Sequence, residues 1–229
     1  MRVLICMFAI ALGACSQSSE PPVAAVPAPS PAEPAVAPAA PTEVSTALTP
    51  DLGARLVRPH SPVLGPSKAP VTVVEVLDPA CEACKAFAPV VEQLLFLYPE
   101  DVRVVVRYAD FHPVSLQAIR LLEAARKQGK AHELLTALFE RQQEWASHSA
   151  PNPARAWVIA KDAGVDIARA KKDAVATSVD DMLNIEAKDL AALKVEQTPT
   201  FFVNGKPLPT FGAQQLMDLV ASEVRDSKK

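Results

Sequence analysis

Val71-Thr72-Val73-Val74-Glu75-Val76-Leu77-Asp78-Pro79-Ala80-Cys81-Glu82-Ala83-Cys84-Lys85 is the stretch on which the reading of this 229-residue chain turns. Val71 to Leu77 is a short, β-branched run between Pro70 and Asp78-Pro79, the pattern of an interior strand covered on both faces. Cys81 then opens a helix. Two residues between cysteines on a first helical turn put both sulfurs at the N-terminal end, where unpaired backbone N–H groups and the helix dipole favour a thiolate. This arrangement suits thiol–disulfide exchange: Cys81 at the exposed tip is the attacking thiolate, and Cys84, one turn in, resolves the mixed disulfide.

Two plainer readings of the cysteine pair fit less well. A zinc half-site would need two further ligands, and there is neither a second CxxC nor two histidines at ligand spacing among His60, His112, His132 and His148. A purely structural bridge between Cys81 and Cys84 would close a loop too small to constrain the unfolded chain much. Redox chemistry at the sulfurs themselves requires no metal and no other cofactor. The balance of 23 basic against 26 acidic residues, a formal net charge of -3, gives no electrostatic case for nucleic acid as a partner.

The N-terminal quarter has a different composition. Val3 to Leu12 is an apolar run behind Arg2, the layout of an export signal and too short to span a bilayer as a helix. Leu12-Gly13-Ala14-Cys15 resembles the lipobox of bacterial lipoproteins. That resemblance implies a signal peptide over 1–14, cleavage after Ala14 and lipid on Cys15, with more than one acyl chain for stable anchoring. Ser16 after the cysteine, where enterobacterial lipoproteins of the inner membrane carry aspartate, points to the periplasmic side of the outer membrane. Residues 15–50 then carry Pro21-Pro22, Ala28-Pro29-Ser30-Pro31, Glu33-Pro34 and Ala37-Pro38, and no packed core forms from such a composition. At about 3.1 Å per residue in extended polyproline II, roughly 35 residues form a tether on the order of 100 Å long.

Residues 51–229 form the folded part, with 49% hydrophobic residues over the whole chain, enough for one good-sized domain. A short edge strand is expected at Leu56 and Val57, and the helix opened by Cys81 should run to Leu97. Val102 to Tyr108 is a second β-branched strand, giving a parallel βαβ unit. From His112-Pro113 to Val195 the pattern is helical throughout, with room for four or five helices. Asn152 and Asp166 read as N-caps, Gly164 as a helix stop, and Ser178 with Asp181 as a capping box. Thr200 to Val203 returns to strand, Asn204-Gly205 is a hairpin turn with Lys206 to Leu208 as partner strand, and Ala213 to Val224 is a closing helix. The fold class is therefore α/β, a thioredoxin-like fold with halves at 51–112 and 195–229 and an all-helical insertion over 113–194.

Four motifs carry a family likeness: Ser61-Pro62-Val63-Leu64-Gly65, Ala69-Pro70-Val71-Thr72-Val73-Val74-Glu75, Cys81-Glu82-Ala83-Cys84, and Thr198-Pro199-Thr200-Phe201-Phe202-Val203-Asn204-Gly205. With them the chain resembles the DsbA-type thioredoxin-like family of bacterial disulfide oxidoreductases over residues 51–229. The resemblance implies that Cys81 and Cys84 are nucleophile and resolving thiol. It also implies that Thr198-Pro199 is the cis-proline loop whose backbone pairs with a substrate chain, and that Glu75 is the buried acid near the second cysteine. A desolvated carboxylate with a raised pKa is suited to take the proton that Cys84 must lose. The implied partners are cysteine-containing extracytoplasmic proteins, a redox partner that resets the pair, and the membrane through Cys15.

Departures from the family pattern bear on direction. Strong oxidants of the family carry histidine just before the second cysteine, where this chain has Ala83, and Glu82 adds negative charge instead. That charge costs the thiolate roughly 0.5 to 1 kcal/mol, which implies a less oxidising couple. Threonine before the proline also occurs in isomerase-like relatives, so reductase or isomerase activity stays open. A second class also stays open, a non-enzymatic lipoprotein that binds copper(I) with the two thiolates.

Overall fold

The computed structural model describes residues 50–229. The signal peptide expected over 1–14, Cys15, and all but the last residue of the 15–50 tether lie outside the described residues. The first element is a helix, α1 (Pro50–Leu56), and not the edge strand expected at Leu56 and Val57. Asp51 and Arg55 face each other across one helical turn and pair at 3.1 Å. Leu56, 2% exposed, packs with Val74, Val76 and Val105. The edge strand is β1 (Val63–Leu64), delivered by the loop that the sequence assigns to a connection.

Gly65 follows with a positive φ of 83°, and a Cβ there would meet the Val102 carbonyl oxygen at 2.7 Å, so only glycine lets the chain turn this close to its neighbour. Next come β2 (Val71–Leu77), α2 (Glu82–Leu97) and β3 (Val102–Tyr108), with the strand limits read from their β-branched runs. The two strands pair in parallel from Val71 opposite Val102 to Leu77 opposite Tyr108.

Six helices follow before the next strand: α3 (Ser115–Arg126), α4 (Ala131–Glu140), α5 (Gln142–Trp145), α6 (Pro153–Asp162), α7 (Ile167–Asp173) and α8 (Thr177–Ala192). The excess over four or five includes α5, a single turn too short to show a period. Asp166 caps α7 by accepting from the Arg169 backbone N–H at 3.0 Å. Asn152 holds the capping position of α6 without a side-chain bond. The capping box expected at Ser178 and Asp181 is absent, because α8 starts at Thr177 behind Ala176 and Ser178 already lies in its first turn.

The chain returns through β4 (Thr200–Val203) and β5 (Lys206–Pro207) and ends in α9 (Ala213–Asp226). Asn204 and Gly205 both have positive φ, 49° and 78°, as a two-residue hairpin of matching twist requires. The sheet runs β1-β3-β2-β4-β5, with β2 and β3 parallel and the other pairs antiparallel.

Alternation along β2 divides the core. Val71 and Val73 pack with Val91 and Leu94 of α2 and Leu216 and Val220 of α9. Val74 and Val76 face the other way, toward Leu190, Val195 and Leu56. Leu77, at the C-terminal end of the strand, joins Cys81, Cys84 and the insertion residues Leu121, Leu134, Leu138 and Trp145 in one cluster. The cysteine pair therefore sits where sheet and helical insertion share a core.

Candidate active site

Asp78 begins the site because it fixes the turn between β2 and α2. Its buried carboxylate accepts from the backbone N–H groups of Ala80 (2.8 Å), Phe111 (2.8 Å) and His112 (3.1 Å). It also pairs with His112 Nδ1 at 2.9 Å and accepts the Ser115 hydroxyl. One side chain thus ties the cysteine turn to the entry of the insertion. A second tie comes from α5, where Gln142 Nε2 donates to the carbonyls of Pro79 (3.2 Å) and Cys81 (3.0 Å).

Cys81 is the N-cap of α2, in extended conformation, and Cys84 lies on the first turn. Both are free thiols. Cys84 is fully covered and accepts the Asp78 backbone N–H at 3.4 Å. Cys81 keeps only 8% of its surface, less than the exposed tip expected, because the Thr198-Pro199 loop crosses it. Its Sγ lies 3.3 Å from the Thr198 carbonyl oxygen, to which the protonated thiol donates, and the Thr198-Pro199 peptide is cis.

The two sulfurs differ sharply in acidity. A hydrogen bond from the Cys84 thiol lowers the Cys81 pKa to about 5, against the opposing effect of burial and with help from the Thr198 side chain and the backbone N–H groups of Cys84 and Ala83. Cys84 is pushed far up, first by its hydrogen bond to Cys81 and then by burial. Cys81 therefore favours the thiolate and Cys84 keeps its proton; of the two forms, the thiolate is the nucleophile in thiol–disulfide exchange.

Glu75 lies in the middle of β2 between Val106 of β3 and Phe201 of β4. It is 5% exposed, and burial alone raises its pKa to about 8. The carboxyl has no hydrogen-bonding partner among the described residues. It stands close enough for its charge to raise the Cys84 pKa.

The structure therefore brings Cys81, Cys84, Glu75, Thr198 and Pro199 around one end of α2, whereas Cys15 lies outside the described residues. It adds residues to which sequence reasoning gave no part in the site. His112 is a loop residue, as a lone histidine before a proline suggests, but it is held by Asp78. His148 pairs with Glu82 at 3.1 Å, and its ring meets that of His112 edge to face with centroids 6.1 Å apart. The hydrogen bond from His148 holds Glu82 below the usual carboxylate range. The Asp78-Pro79 dipeptide marked the turn, but no local signal announced Gln142 or His148. Trp145 packs in the core with its Nε1 donating to the Leu138 carbonyl at 2.9 Å.

Among the described residues no helix is long and apolar enough to cross a membrane, and no group of three or more histidine, cysteine or acidic side chains is placed to hold a metal ion.

Comparison with known proteins agrees with the architecture. A family model described as thioredoxin matches residues 58–218. A solved thioredoxin-like oxidoreductase from Silicibacter pomeroyi is 28% identical with a TM-score of 0.65, covering 76% of this chain and 97% of its own. The alpha-DsbA1 structure from Wolbachia pipientis, 17% identical, shares the fold with a TM-score of 0.66 over 75% of this chain and 94% of its own. Among curated proteins, the Na(+)/H(+) antiporter NhaA 1 of Mycolicibacterium gilvum is 31% identical over 166 residues, 68% of this chain but 26% of the antiporter. The chain thus spans about a quarter of the length of the curated relative it matches. With its cysteine pair at the tip of α2 and helices inserted after β3, the chain belongs to the thioredoxin family, and its fold is that of the DsbA-like disulfide oxidoreductases.

Proposed function

We propose that this protein is a membrane-tethered thiol:disulfide oxidoreductase that exchanges disulfides with cysteine-containing proteins outside the cytoplasm. The observation that carries the reading is the Cys81 sulfur at the N-terminus of α2, 3.3 Å from the Thr198 carbonyl, with Cys84 covered behind it. In the reducing direction the Cys81 thiolate attacks a client disulfide, forming a mixed disulfide and releasing one client thiolate. Cys84 then gives its proton to Glu75 in those molecules in which that carboxyl is ionised, a minority below its pKa of about 8, and attacks the Cys81 sulfur. The second client thiolate leaves and the Cys81–Cys84 disulfide remains. Oxidation of a client dithiol runs these steps backwards.

The Thr198 backbone is positioned to receive an extended client segment, and Phe111, 46% exposed beside the Asp78 turn, offers it an apolar contact. Lipid on Cys15 would hold the domain on the periplasmic side of the outer membrane, with residues 15–50 as spacer. A second redox protein would reset the pair.

Direction follows from acidity. A Cys81 pKa of about 5 lies between the values of about 7 for thioredoxin and 3.5 for DsbA. The couple should therefore lie between their potentials of about -270 and -120 mV. Equilibration with glutathione tests this, and a value near the oxidising extreme would reject it. Insulin reduction or peptide oxidation with a Cys81→Ser control tests the activity itself. Cysteine-dependent turnover supports the reading, and its absence would favour thiolate metal binding.

A further inference from the structure

A cavity of ≈ 290 Å³ opens between α2 and α4, and neither Cys81 nor Thr198 lines it. Its floor is the sheet, with Glu75, Leu77 and Val106, and its walls include Leu95, Leu135 and Phe139. The lining is aliphatic and aromatic apart from Thr136 and a few titratable groups. Glu75 comes from β2, Lys85 and Glu92 from α2, and His132 and Glu140 from α4.

Two features make this more than a gap. Glu75 is 5% exposed, lies on the cavity wall, and has no hydrogen-bonding partner among the described residues. A buried carboxyl without a counter-charge is held at a cost that an occupant with N–H donors and positive charge would offset. The titratable lining is also predominantly acidic: one lysine stands against three carboxyl groups, with His132 beside them. An anion would face all three carboxyls, and a plain hydrocarbon would leave Glu75 unanswered.

We propose that this cavity is a binding site for a small apolar amine, whose hydrocarbon part packs against the Leu95, Leu135 and Phe139 wall and whose nitrogen takes the Glu75 proton and pairs, as ammonium, with the resulting carboxylate. The volume lies just under the range for ligand pockets, about 300 to 1,000 Å³, so the occupant has one ring or one branched chain. This site goes beyond the disulfide-exchange reading, and binding there needs no thiol chemistry.

The test follows backbone amide NMR signals of the isotope-labelled full chain during titration with benzylamine, with benzyl alcohol and benzoate as shape-matched controls. Saturable shifts are expected at Leu64, Ala88, Leu135 and Thr136. The alcohol should bind at least about ten-fold more weakly than the amine, and benzoate not measurably. Glu75→Gln should weaken benzylamine at least about ten-fold and leave benzyl alcohol within about two-fold. Thr136→Phe, which fills the cavity from α4, should abolish both titrations while the alkylation rate of Cys81 stays at the wild-type value, showing that the fold is intact. Failure of benzylamine to saturate, equal affinity for benzoate, or undiminished affinity in Glu75→Gln would each overturn the proposal.

Discussion

Glu75 and Arg107 are buried on opposite faces of the same sheet, one strand apart, and the molecule treats them in opposite ways. Arg107 stands opposite Val76 in the β2–β3 register and so points to the α8 face. There its Nε donates to Glu186 and one terminal nitrogen to Asp189, each at 2.9 Å, and the other to the Arg55 carbonyl. Arg58 adds a 2.7 Å bond to Asp189, and His60 a 2.8 Å contact to Glu186. Burial pushes the Asp189 pKa up, yet bonds from Arg58 and Arg107 outweigh it and hold the carboxyl below the usual range. Glu75, on the α2 face, has no such company, and burial raises it to about 8. A buried charge on β3 with partners on α1 and α8 pins the three elements together. A buried acid without partners keeps its proton.

The contrast can be broken first at its kinetic end. Replacing Glu75 with glutamine should slow resolution of a Cys81 mixed disulfide by about 10²- to 10⁴-fold, the usual value of a positioned general base. Rapid quenching of the complex with a client peptide measures this, and an unchanged resolution rate would make Glu75 a mere core residue. At the structural end, Arg107→Met removes the fully buried guanidinium from Glu186 and Asp189 and leaves them, among the described residues, only the partly exposed His60, Arg55 and Arg58. It should cost about 3 to 5 kcal/mol in urea unfolding. A loss no greater than that of an exposed ion pair would remove the distinction.

The pH dependence sharpens the comparison further. Glu75 keeps its proton in the folded state up to about 8 but loses it near 4.5 when unfolded, so across that window the folded state binds the extra proton. Stability of the oxidised protein should therefore fall as pH rises through the window, by up to about 1.4 kcal/mol per unit, and the slope should vanish in Glu75→Gln. In the reduced protein Cys81 works the other way. Its pKa drops from 9.0 to about 5, which adds stability as pH rises from the folded value to the unfolded one. The reduced curve should be the flatter of the two, and parallel curves for the two redox states would contradict the thiolate assignment. The smallest expected effect belongs to His148→Ala. Removing the partner of Glu82 should raise the Cys81 pKa by less than about one unit, read from thiolate ultraviolet absorbance.

Parts of this arrangement were legible in one dimension and parts were not. The limits of β2 and β3 coincide with β-branched runs, β4 with the Thr200-Phe201-Phe202-Val203 run, and the Asn204-Gly205 turn appears where its dipeptide stands. Helix α1 was hidden because seven residues carry too little pattern, and its stabilising contacts, Leu56 against Val105 and Arg55 against Asp189, reach across the fold. Burial of Glu75 was readable from its place in an apolar strand. That it has no counter-ion was not, since this depends on what α2, α4 and β3 bring near it.

By itself, the order of residues determined the strand–helix–strand frame, the cysteine pair at a helix start and the later threonine–proline loop, because each rests on local propensity and short spacing. Only the tertiary structure decided that Thr198 covers Cys81, that Asp78 and Gln142 anchor the cysteine turn to the insertion, that His148 faces Glu82, and that one buried charge is paired while another is not. Those outcomes depend on desolvation and on contacts between residues far apart in the chain, and neither is set until the core has packed.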